Sequence, residues 1–256
     1  MSLSRSRALI RHEMKLQLSE WPNLSTMILM PLVMIAFFKP LARLALTAQH
    51  PGANGAEYSV PAMSTMFAFF LVAFIGFSFF MEHRWNTWER LRASPATNAE
   101  IMVGKVVPAV LLCLVQQGVL FGSGFLVFGL RINGSLAGLF AVIVALAFAL
   151  TAIGVLLAAV VKNEQQMNVI GNIGSMVLAG VSGALVPLSV LPGWARTVAP
   201  FTPQYWALRG FRSVILDHGG ISSVALPVAV LLMLAAGAAV LALMRFRFDE
   251  PKVQVV

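Results

Sequence analysis

The sequence predicts an all-α polytopic membrane protein with six transmembrane helices, and three observations carry that prediction. Hydrophobic residues make up 59% of the chain and charged residues only 11%, against roughly 25% charged in an ordinary soluble domain. A soluble body of this length would lack the polar surface needed to cover so much apolar side chain. Long apolar runs recur along the chain, several of them about twenty residues or more, enough to cross a ~30 Å hydrocarbon core at about 1.5 Å per helical residue. Finally, the basic residues are sided. Twelve of the eighteen Lys and Arg lie in residues 1–20, 82–105, 162–166 and 245–256, which six crossings put on one side. Cytoplasmic loops collect such residues, so both termini are expected on the cytoplasmic side of a bacterial inner membrane. The net charge of +8 follows from this bias and calls for no nucleic acid.

Each element can be justified in turn. Residues 7–21 space Ile10, Met14, Leu18 and Trp21 helically, with Arg11, His12, Lys15 and Gln17 on other faces. A basic amphipathic helix beside a span is expected in the headgroup plane, against membrane lipid. No h-region or small-residue cleavage site precedes it, so the first apolar run reads as a retained span. Span 1 runs from about Asn23 to Phe38, with Pro31 as an expected kink and Lys39 snorkelling at its outer end. Residues 43–59 read as an exposed loop. Span 2 covers about 60–81, span 3 about 106–130 and span 4 about 134–161. Span 5 starts at Met167. Beyond Val186, Pro187, Pro192, Pro200 and Pro203 break the chain into short pieces too apolar for a free loop. Half-inserted outer helices are expected there, covered by protein because open backbone is excluded from lipid. Residues 207–223 read as an exposed connector, and span 6 covers about 224–244.

The search for chemistry excludes more than it finds. No H-E-x-x-H, C-x-x-C or serine elbow with partner residues is present. His12, His50, His83 and His218 all lie outside the spans, so no metal site is expected. The lone Cys113 sits in an apolar run as a small core hydrophobe. Gly104–Lys105 is no phosphate loop, because Ala99 replaces the required glycine and Val106 follows the lysine. No span carries an ionisable residue near its middle, which weighs against an ion-coupled secondary transporter. A membrane enzyme acting on lipid would have only His83 and Glu82 to work with. A transporter driven by something outside this chain is the better reading.

That reading gives weight to the charged interruption at 82–105. Trp85, Trp88 and Leu91, with Arg92, follow 3–4 spacing, among Glu82, Arg84, Glu89 and Arg90. Ser94–Pro95 breaks the helix. Thr97 then caps a second one, with Glu100 at the capping-box position. The segment reads as a short interfacial helix that docks a soluble motor. Gln116 and Gln117, near the middle of span 3, need protein partners or a polar cavity, which makes them candidates for the translocation path. On span 5, Gly171, Ser175, Ala179 and Gly183 form a ridge of small residues, suited to a dimer interface or to packing within the chain. Asn168, Asn172 and Met176 mark an adjacent face, for a translocation path or for interhelical hydrogen bonds.

Residues 82–105 resemble the cytoplasmic loop of permeases of the type-2 ABC exporter family, through Glu82, Glu89, Leu91, Ser94–Pro95 and Gly104–Lys105. Where family members often carry an acidic residue and then a glycine after the arginine, this chain has Trp85–Asn86. Residues 182–211 are similar to the family's outer signature, through Ser182, Gly183, Pro187, Leu191, Pro192, Trp194, Pro200 and Arg209. The resemblance implies a single permease domain over 1–256, with a cytoplasmic amphipathic helix (1–22), a coupling segment (82–105) and an outer re-entrant and connector region (187–223). It implies a transport subunit, not an enzyme, with no cofactor of its own. ATP and Mg would belong to a separate ABC ATP-binding subunit in two copies. A second permease copy, identical or closely homologous, would complete an exporter of drug-like, antibiotic or lipid-linked amphipathic molecules.

Overall fold

Every element in the structure, a computed structural model describing residues 3–46, 50, 52–84, 94 and 96–245, is helical. The helices are α1 (Leu3–Ser19), α2 (Trp21–Leu46), α3 (Ala56–Arg84), α4 (Asn98–Leu126), α5 (Leu136–Val160), α6 (Glu164–Asn168), α7 (Gly174–Ser182), α8 (Gly193–Val198), α9 (Pro203–Ile215) and α10 (Ala225–Arg245). A π-helical turn, Val169–Ile173, joins α6 to α7. Short 3-10 turns, Ala199–Phe201 and Ile221–Val224, precede α9 and α10. Such uniformity is what lipid demands, since backbone groups in a bilayer core must be satisfied within their own segment.

Five helices, α2, α3, α4, α5 and α10, are long and apolar enough to cross a membrane. Their burial ranks them. In the most apolar stretch of α3, 67% of residues are buried, and in α5 61%, but in α2 only 11%. Thus α3 and α5 form the centre, and α2 presents most of its surface outward through Leu29, Met30, Val33 and Phe37. In the centre Leu71, Val72 and Ile75 of α3 pack with Val142, Leu146 and Leu150 of α5, Phe211 of α9 and Leu231 of α10. The Phe121 and Phe211 rings meet at 5.0 Å between centroids, tilted 51°.

Several sequence expectations shift. Helix α2 runs eight residues past Phe38, through Pro40 to Leu46. Residues 43–59 are not all loop: α3 starts at Ala56, and Glu57 and Ser59 are buried. Span 3 starts eight residues early, at Asn98, on the expected Thr97–Glu100 capping box, so Gly104 and Lys105 fall inside α4. Residues 207–223 are not simply a connector either, because α9 reaches Ile215 and buries Ala207, Gly210, Phe211 and Val214. The 3–4 spacing of those residues was the available signal, masked by Arg209 and Arg212 beside them. The expected fifth crossing is a broken helix, interrupted by the π turn at Val169–Ile173.

Candidate functional site: a groove beside the broken helix

Phe67, Phe70, Phe74 and Phe77 recur at 3–4 spacing down α3, so their rings share one helical face. Opposite them, α2 supplies Asn23, Thr26, Met27 and Met30, and the broken helix supplies Asn168 and Asn172. Together these residues enclose a groove of about 390 Å³, within the range of small-molecule sites, which are mostly apolar with a few orienting polar groups. Phe67 and Phe70 are 5.5 Å apart between centroids. The methionines add side chains that adapt to irregular shapes.

The asparagines flank the break. The π turn inserts one extra residue per turn into the ladder, between Asn168 at its start and Asn172 near its end. Asn172 Nδ2 donates to Asn168 Oδ1, and both amides face the groove at the level of the phenylalanines. Among the described residues, no Asp, Glu, Lys or Arg lines this groove. Towards α1 it adjoins a cleft of about 350 Å³ that shares Asn23, Phe74 and Phe77 and adds Glu13, Gln17, Glu20 and Glu164. A flat, apolar molecule with a few hydrogen-bonding groups fits the groove, and the charged groups stay at the mouth.

Glu13, which lines that cleft, belongs to a buried ion pair. Lys105 Nζ lies 3.1 Å from Glu13 Oε2, with side-chain exposures of 4% and 6%, and it donates to the Ser78 carbonyl at 3.0 Å. It also sits 5.1 Å from the Phe79 ring centroid. A methyl group on Gly104 would meet Leu9 Cβ at 2.8 Å, so the glycine lets α1 lie directly on α4. Gly104 and Lys105, at the end of the expected coupling segment, clamp the amphipathic helix. On helix α1 Ser6, Glu13 and Gln17 are buried against the body, while Met14 and Leu18, with Trp21 at the start of α2, are exposed.

The other predicted residues fall into three groups. Gln116 and Gln117 lie outside the groove, in the core. Gln116 Nε2 donates to the Met27 carbonyl at 3.0 Å and the Phe67 carbonyl at 3.4 Å, and Gln117 Nε2 donates to the Ser64 carbonyl at 3.1 Å. They fasten α4 to the two groove walls. The ridge of small residues is already occupied within the chain. Gly171 abuts Ala73, where a methyl group would come within 2.5 Å, Ser175 Oγ donates to the Phe69 carbonyl at 2.9 Å, and Ala179 is fully buried. Gly183 caps α7 in the left-handed region. Met176 is 59% exposed and lines no wall of the groove.

Pro187 and Pro192 lie in the irregular stretch before α8, and Pro192 is its N-cap. Trp194, on α8, is exposed, Pro200 accepts the Trp206 indole N–H at 2.7 Å, and Arg209 lies over the Trp206 ring at 5.2 Å. Of the coupling segment, residues 85–93 and Pro95 lie outside the described residues, which removes Trp88, Glu89, Leu91 and Arg92 from structural account. Glu82 and Arg84 are placed only as the last residues of α3's backbone, and Ser94 Oγ accepts the Ala96 N–H at 3.3 Å. Sequence reasoning missed Glu13 and the aromatic wall. The phenylalanine stripe was a usable signal for the wall, but nothing local marked Glu13.

The long apolar helices define a multi-pass membrane protein. The chain matches the ABC-2 type transporter family over residues 5–216 and belongs to that family. It is 26% identical over 198 residues to the linearmycin resistance permease protein LnrN of Bacillus subtilis (strain 168), covering 77% of this chain and 51% of that protein. It is 25% identical over 122 residues to the probable multidrug ABC transporter permease YbhR of Escherichia coli (strain K12), covering 48% of this chain and 33% of that protein. The aligned stretch therefore spans about half the length of the first relative and a third of the second.

Proposed function

We propose that this chain is the permease subunit of an exporter that moves amphipathic, drug-like, antibiotic or lipid-linked molecules out of the cytoplasm. The observation that carries the reading is the uncharged, aromatic- and amide-lined groove beside a broken helix in an ABC-2 family chain. Ligand enters from the α1 end, slides along the phenylalanine stripe and leaves at the opposite end. The α6–α7 segment serves as a sixth crossing. Its nineteen residues, at about 1.5 Å each, nearly match the hydrocarbon core. Both termini then face the cytoplasm.

Energy comes from a separate ATP-binding subunit holding ATP and Mg. It acts in two copies through residues 82–95. Two permease copies pair across the outward face of the broken helix, where Ile173, Met176 and Val177 are each 59% exposed. This is the face left open once α3 has covered the ridge of Gly171, Ser175 and Ala179. Export follows from the ligand's differential affinity for inward- and outward-open states, with the chain supplying the two-state element.

The test is transport in proteoliposomes holding this chain and its ATP-binding partner. MgATP-driven flux of an amphipathic dye is expected. It should fall about tenfold in Phe74→Ala or Asn172→Leu, the equivalent of roughly 1.4 kcal/mol at the ligand. Glu82→Ala and Glu89→Arg should lower flux and ligand-stimulated ATPase activity while insertion stays normal. Flux by the chain alone under an ion gradient would overturn the reading in favour of a secondary transporter.

A further inference from the structure

The outward face of α1 carries a row of like charges. Arg7, Arg11 and Lys15 follow one another at i, i+4 spacing, which stacks them on one side of the helix. All three are exposed, and with Ser4, Ala8 and His12 they line one open depression of the surface. Among the described residues no carboxylate lines it. The acids nearest in the chain are engaged elsewhere. Glu13 is buried and paired with Lys105, and Glu20 accepts from Asn23 Nδ2 at 2.9 Å. Like charges at this spacing repel one another, so the row gains from any anionic surface brought against it.

Two observations place the row at the level of lipid headgroups. Lys15 precedes Trp21, where the apolar helix α2 begins, by only about 9 Å of helix. Helix α1 also stays on the body instead of projecting from it. Leu9 lies against Gly104, and Glu13 meets Lys105, which donates to the Ser78 carbonyl within the apolar length of α3. Beside the cations, Met14 and Leu18 are exposed, as is Trp21. Basic groups set among outward methionine, leucine and tryptophan suit an interface, where phosphates meet the charges and acyl carbon meets the apolar side chains.

We propose that Arg7, Arg11 and Lys15 form a binding surface for anionic phospholipid headgroups, drawing charged lipid to the α1 end of the chain. Amphipathic spacing predicts only that this helix lies in the headgroup plane. The uncompensated row adds a demand for negative lipid charge. This surface is independent of the export reading, so it is measured on the chain alone, without nucleotide or transported ligand.

The experiment mixes the full chain, purified in dodecyl maltoside, with equimolar dioleoyl phosphatidylglycerol and dioleoyl phosphatidylcholine. Native mass spectrometry then counts the lipids retained. Phosphatidylglycerol is expected to be retained about fivefold or more over phosphatidylcholine, because each basic group near the surface adds attraction. R7Q/R11Q/K15Q should lower that preference about threefold or more. R131Q/R196Q/R209Q, which removes as many exposed cations elsewhere, should leave it unchanged. R7K/R11K should keep it too, since a lipid surface reads charge and not the guanidinium fork. Equal retention of the two lipids by the wild-type chain overturns the proposal without recourse to any variant. So does an equal loss in the two triple variants, or full preference in a R7Q/R11Q/K15Q chain that elutes as the wild type on size exclusion.

Discussion

The two ends of this helical body are closed by different chemistry. At the α1 end one buried ion pair, Lys105 with Glu13, holds an amphipathic helix against α4 and the end of α3. At the opposite end side-chain donors reach backbone carbonyls separately: Tyr58 to Gly183, Lys39 to Phe128 at 2.8 Å and Asn54 to Gly129 at 2.7 Å. A buried pair carries the desolvation of both charges, so losing one partner strands the other. Separate hydrogen bonds have no such coupling, and each is lost singly. The α1 end is therefore held in one piece, and the opposite end can be adjusted bond by bond.

The comparison breaks if single substitutions at the two ends cost the same. Lys105→Met should be the most damaging, lowering stability by about 3–5 kcal/mol because Glu13 stays buried without its counter-ion. The midpoint of unfolding in detergent reads this. Glu13→Leu combined with Lys105→Met should recover most of the loss, and a double-mutant cycle isolates the pair. If the two losses simply add, the ion pair is not what closes this end.

A smaller effect is expected from Tyr58→Phe, which removes one hydroxyl and keeps the ring. Its cost should be about 1 kcal/mol, the net worth of a typical hydrogen bond. Lys39→Met should cost less still, under about 1 kcal/mol. It loses a donor to a carbonyl just past the end of α4, where a cation favours the helix terminus, yet it keeps the side chain's apolar length. Stability measurements on Tyr58→Phe, Lys39→Met and the pair combined should give additive losses. Strong coupling would mean that this end, too, is one network.

Local chemistry made much of the fold legible. Apolar runs of spanning length mark α2, α3, α4, α5 and α10, and Thr97 with Glu100 places the start of α4 because a capping box is a four-residue matter. The prolines from 187 to 203 announce short pieces, found as α8 and the turn before α9. The π turn was not legible, since nothing in V-I-G-N-I distinguishes an i→i+5 ladder from an α-helical one. Its groove was half legible, because the stripe Phe67–Phe70–Phe74–Phe77 defines a face but not what lies opposite.

By itself, the sequence determined that this chain is helical and carries several runs long and apolar enough to span a membrane. Those properties depend on length, composition and spacing within single segments. Only the tertiary structure decided the fate of individual polar residues. Lys105 acts as a clamp because Glu13, 92 residues away in sequence, meets it. Gln116 and Gln117 fasten α4 because carbonyls of α2 and α3 come within reach. The small ridge of Gly171, Ser175 and Ala179 is spent on α3 for the same reason. Periodicity states which face of a helix differs from the rest, while the partner that covers it is set by long-range packing.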